Sequence, residues 1–207
     1  MHKNDKWLAS AREEGIPYQR EVQLTWWSVL QGIVVSEFII KVPVLLQKIY
    51  FSKDYYLIWY IIGTLLILVN VWVQVAWAII FLRWPLNISH VLLTTLLGTV
   101  SIGIVAYVEQ PLLWVASTIA IASMGIAVYL YNVKRKAYLA VGLQYGWKPI
   151  IEMSTFLIAL FLLFIWLLAG SQEAIGWAGF SVSILAGIAL RRQSQRMEYE
   201  RSQSGIP

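Results

Sequence analysis

Tyr55–Leu82 reads YYLIWYIIGTLLILVNVWVQVAWAIIFL, 28 residues without a charged side chain. A helix needs roughly 20 apolar residues to cross the hydrocarbon of a bilayer, so this stretch predicts a membrane-spanning helix with length to spare for tilt. The rest of the chain agrees. It has 207 residues, 59% hydrophobic and 13% charged, where soluble domains carry about 25% charged residues. The mean hydropathy is +0.66. Charges cluster between long apolar runs, which is the pattern of a polytopic membrane protein.

Working outward, six spans are expected, at about 24–46, 55–82, 86–107, 111–132, 150–170 and 174–190. Pro111 suits a helix start, Gly170 suits a helix end, and the sixth span is the shortest. Backbone groups in lipid must be paired within the chain, so all spans are helices and the fold class is all-α. Residues 1–23 form an N-terminal tail, read either as an amphipathic helix on the membrane surface or as a solvated segment. Residues 24–190 form the membrane domain, and 191–207 a basic tail extending the last helix. The first 23 residues lack the apolar core of a signal peptide. The first span is therefore expected to stay in the mature protein.

Lysine and arginine set the orientation. Thirteen flank the spans on one side, in the N-tail, at Arg83, in the fourth connection and in the C-tail; Lys48 and Lys53 lie on the other. Six crossings with both termini cytoplasmic follow, most naturally in a bacterial inner membrane. The net charge of +5 is explained by this flanking role against anionic headgroups, so no nucleic-acid partner is expected. Trp26, Trp27, Tyr55, Tyr56, Trp84, Trp114, Tyr131 and Trp147 fall near span ends, where aromatic belts form.

Polar residues at membrane depth are the informative ones, because lipid makes them costly. The first span, GIVVSEFIIKVPV, holds Glu37 and Lys41 one turn apart, with Ser36 beside them. This spacing predicts an ion pair, with Glu37 as a cation or proton ligand modulated by Lys41, or a purely structural pair. Pro43 frees the carbonyl of Ile39 and favours a bend. The second span carries Asn70 and Gln74 one turn apart, able to line a wet cavity or to join helices. The third carries His90, Thr94, Gly98 and Ser101 on one stripe, with His90 able to titrate near neutrality or to hydrogen-bond at the interface. Ala116, Ala120, Ser123 and Ala127 on the fourth span, and Gly176, Ser183 and Gly187 on the sixth, predict close helix packing.

No cysteine is present and there are two histidines, which argues against thiolate metal sites and histidine-based haem or zinc cages; no cofactor is expected. No nucleotide-binding, hydrolase or metalloprotease motif occurs, and no run of arginines marks a voltage sensor. An enzyme is not expected. The expectation is an oligomeric channel or transporter for a small ion or solute, cation or proton rather than anion. The alternative is a membrane scaffold or accessory subunit without transport of its own. Val35-Ser36-Glu37 resembles the Phe-Ser-Asp of the small six-span bacterial relatives of the lysosomal potassium leak channel, with Val for Phe, Glu for Asp and no preceding Arg. Trp84-x-x-Asn87 is similar to the Trp-x-Asn of that family's third helix. The resemblance implies a cation pore lined by first helices from several subunits.

Overall fold

In the computed structural model, backbone is described for residues 3–81, 88–134, 148–170 and 172–204, and side chains for 21–79, 91–130, 150–170 and 173–199. The described residues form six helices and no strands: α1 (Lys3–Ser52), α2 (Tyr56–Phe81), α3 (Ile88–Ala106), α4 (Pro111–Lys134), α5 (Lys148–Leu168) and α6 (Gln172–Ser204). The segments Glu21–Ser52, Tyr56–Ile79, Pro111–Leu130, Ile150–Leu168 and Glu173–Tyr199 are long and apolar enough to cross a membrane. Helix α3, Ile88–Ala106, has 19 residues; at 1.5 Å per residue it covers roughly 28 Å against about 30 Å of hydrocarbon.

The helices run past the apolar cores that predict them. Helix α1 is continuous from Lys3 through Pro43 to Ser52, so residue 23 is not an element boundary and the tail joins the span as one helix. A helix tolerates polar residues outside the hydrocarbon, so hydropathy marks the membrane-embedded part and not the helix end. The same holds for α6, which carries the C-tail as far as Ser204.

Local chemistry sets the turns. Lys53 stands in the left-handed region at φ 58° and its N–H donates to the carbonyl of Ile49, closing α1. Three residues then suffice before α2. Pro111 opens α4 as expected, and the carbonyl of Gln110 accepts the N–H of Trp114 at 2.9 Å. Gly170, at φ 77°, closes α5 with its N–H on Leu167.

Two three-helix seams organise the bundle. In the first, α1 packs on both α2 and α3. Leu30 lies against Gly98 and Lys41 reaches Ala106, so α1 and α3 run parallel. In the second, α2 packs most extensively on α6, and α4 also meets this pair. Helix α5 packs mainly on α4 and leaves most of its surface uncovered. The close approach of α2 and α6 depends on Gly63 and Gly179. A Cβ at Gly179 would stand 2.6 Å from Cε2 of Tyr60, and one at Gly63 would stand 3.0 Å from Trp114 and from Ser183. Gly176, expected to make this contact, has nothing within 4 Å of such a Cβ. The buried row of α6 is Ala174, Ala178, Val182 and Ala186, joined by Ser183. On α4, Ser123 and Ala127 are exposed, and the buried face is Trp114, Val115, Thr118 and Ile121. Bulky residues fill that seam, and the small-residue stripe lies beside it, with Ala116 and Ala120 half-buried.

Candidate functional site

Glu37 is half-buried at the flank of α1 that faces α3. The expected ion pair with Lys41 is not formed. Lys41 instead donates from Nζ to the carbonyl of Ala106 at 2.9 Å. The reason is the end of α3, whose last carbonyls lack intrahelical partners and carry the negative end of the helix dipole. An amine one turn beyond Glu37 gains more by capping that end. Two turns further on, Lys48 bridges Glu109 in the α3–α4 turn at 2.6 Å, with both side chains well exposed. The carboxylate of Glu37 makes no hydrogen bond or ion pair among the described residues. Ser36 is exposed on the outer side of α1.

Asn70 and Gln74 satisfy one another: Gln74 Nε2 donates to Asn70 Oδ1 at 3.1 Å. Gln74 is exposed although it lies beside α4, its Oε1 4.0 Å from the place a Cβ would take at Gly125. Asn70, one turn away, is half-buried. The stripe on α3 is packed, not open. Ser101 is fully buried and donates to the carbonyl of Leu97; Thr94 is buried and donates to Val91. Gly98 is the place where Leu30 of α1 fits. Hydroxyls turned back onto their own helix leave helix packing as the plainest role of this stripe. The side chain of His90 lies outside the described residues, as do Trp84 and Asn87.

Two features escaped the sequence reading. The first is a row on α1, Gln23, Trp27 and Gln31, exposed by 7, 1 and 4%. Both amide atoms of Gln23, Nε1 of Trp27 and Nε2 of Gln31 are buried without a hydrogen-bond partner. Trp27 reads as a belt residue by position, but it belongs to the core while its neighbour Trp26 is exposed. The i, i+4, i+8 spacing was the available signal. The second is a satisfied polar lock between α2, α4 and α6. Trp114 Nε1 donates to Thr64 Oγ1 at 2.9 Å, Tyr60 Oη to the carbonyl of Ile175 at 2.9 Å, and Ser183 Oγ to the carbonyl of Trp59 at 2.7 Å. The rings of Tyr60 and Trp114 meet at 4.5 Å between centroids, tilted by 54°.

No group of three or more metal-ligating side chains occurs among the described residues. No family model matches the chain, and neither a curated protein nor a solved structure matches it. The likeness to the potassium leak family therefore stands on the few positions that carry it.

Proposed function

We propose that this chain is a channel or transporter for a small cation or for protons, acting as an oligomer in the membrane. The observation that carries the reading is Glu37. It is a carboxylate in the middle of an apolar helix, half-buried and unpartnered among the described residues. A lone carboxylate at that depth costs on the order of 3 kcal/mol on insertion scales. Its nearest cation in sequence is engaged on Ala106. Charge at such cost is retained where it meets a mobile cation, a proton or another subunit. Ser36, exposed beside it, and the Asn70–Gln74 pair are further candidates for the path. Six crossings with cytoplasmic termini and a bacterial inner-membrane location belong to this proposal and rest on the lysine and arginine distribution.

The test is flux in proteoliposomes. Glu37→Gln abolishes cation- or proton-dependent flux while purification yield and melting temperature stay those of the natural chain. Parallel loss of flux and folding defeats the reading. A second reading, a scaffold or accessory subunit, draws on the use of Lys41 as a helix cap and on the self-bonded hydroxyls of Thr94 and Ser101. A purified chain with no flux of its own, recovered with a stable membrane partner, favours that alternative.

A further inference from the structure

Gln23, Trp27 and Gln31 occupy one face of α1 over two turns, each more than nine-tenths buried. Four of their polar atoms are unpartnered. Each such atom costs about 1–3 kcal/mol if left so, and the four sit on a face turned toward α2 and α3. Their chemistry restricts what can satisfy them. An indole N–H only donates, while a primary amide both donates and accepts. A bare cation cannot accept from Trp27. A simple anion cannot donate to the amide oxygen of Gln23. A molecule that both donates and accepts serves all three residues, and water is the smallest that does so without bringing a charge into an apolar seam.

We infer that this row is a built site for internal water, a short file that bridges Gln23, Trp27 and Gln31 within the α1–α2–α3 seam. Buried waters make about three hydrogen bonds each, and the row spans roughly 12 Å along the axis, so more than one molecule is needed. The file has a definite end. The next residues on the same face are Val34 and Phe38, which form a separate apolar cluster with Leu68 of α2 and Val105 of α3. Beyond that cluster the seam turns polar again, at Lys41 and the carbonyl of Ala106. The seam therefore reads as an internal hydrated stretch stopped by an apolar cluster, the kind of surface that resists wetting. The site uses atoms unrelated to Glu37 and stands whether or not Glu37 handles cations.

Radiolytic hydroxyl-radical footprinting of the full chain in nanodiscs tests it, with oxidation read at single tryptophans by mass spectrometry. Radicals form from bound water in place, so a buried residue touching water is labelled and a dry one is not. Trp114 is the internal control, equally buried and with its Nε1 held by Thr64. Trp27 is expected to oxidise severalfold faster than Trp114. Gln23→Leu with Gln31→Leu is expected to bring Trp27 down to the rate of Trp114. Equal protection of both tryptophans in the natural chain overturns the inference, as does unchanged Trp27 labelling in the double variant. If that variant fails to fold, deuterium exchange of the two indole N–H groups in the natural chain decides: faster exchange at Trp27 supports the site, equal rates refute it.

Discussion

The two seams of the bundle bury a tryptophan each, and treat it in opposite ways. Trp114 is locked: its indole N–H has an acceptor, its ring packs at a tilt against Tyr60, and Gly63 leaves room for it. Trp27 is as deeply buried, yet its indole N–H and the amides one turn either side lack partners. Burial alone is thus a poor guide to what a polar residue does at membrane depth. The α2–α4–α6 seam uses polarity to fix helices. The α1–α2–α3 seam holds polarity in reserve, and it is also the seam that carries Glu37.

This contrast can be broken experimentally, starting with the tightest contact. Gly179→Ala forces a methyl group onto the ring of Tyr60, which is fully buried and cannot move away. A loss of about 1–3 kcal/mol is expected, seen as a lower melting temperature in detergent; an unchanged melt means that the α2–α6 contact is looser than described. Trp114→Phe removes one hydrogen bond and strands Thr64, for a smaller loss of about 1 kcal/mol. Trp27→Phe, the matching change in the other seam, removes no protein–protein hydrogen bond, so its loss is expected to be smaller than that of Trp114→Phe. Equal losses for the two tryptophan variants remove the distinction between the seams. Lys48→Gln is expected to matter least, under about 1 kcal/mol, because the bridge to Glu109 is exposed. Added salt lowers the melt of the natural chain no further than the variant does, if the bridge is the only term.

The helices themselves were legible because an uncharged run such as Tyr55–Leu82 has one physical solution in lipid. Helix ends marked by backbone chemistry were legible too: Pro111 and Gly170 do what their rings and φ angles require. Partners were not. The neighbour of Lys41 is Ala106, 65 residues away, and local spacing pointed to Glu37. Gly176 and Gly179 look alike in the sequence; the rotation of α6 against Tyr60 selects the second. Trp27 stands near a span end, where aromatics often meet headgroups, and only the packing of the bundle turns that position inward. On α4 the small-residue row lies beside the buried face and not on it, because large residues can fill a seam as well as small ones can narrow it.

The short turn at Lys53 has a mechanical consequence. Helix α1 is 50 residues long and is coupled to α2 through three residues, one of them fixed in a left-handed conformation. Helix α2 is in turn keyed to α6 at Gly179. A turn this short leaves the end of α1 no room to part from the start of α2, and Tyr60 against Gly179 holds that start against α6, so the three helix ends form one block.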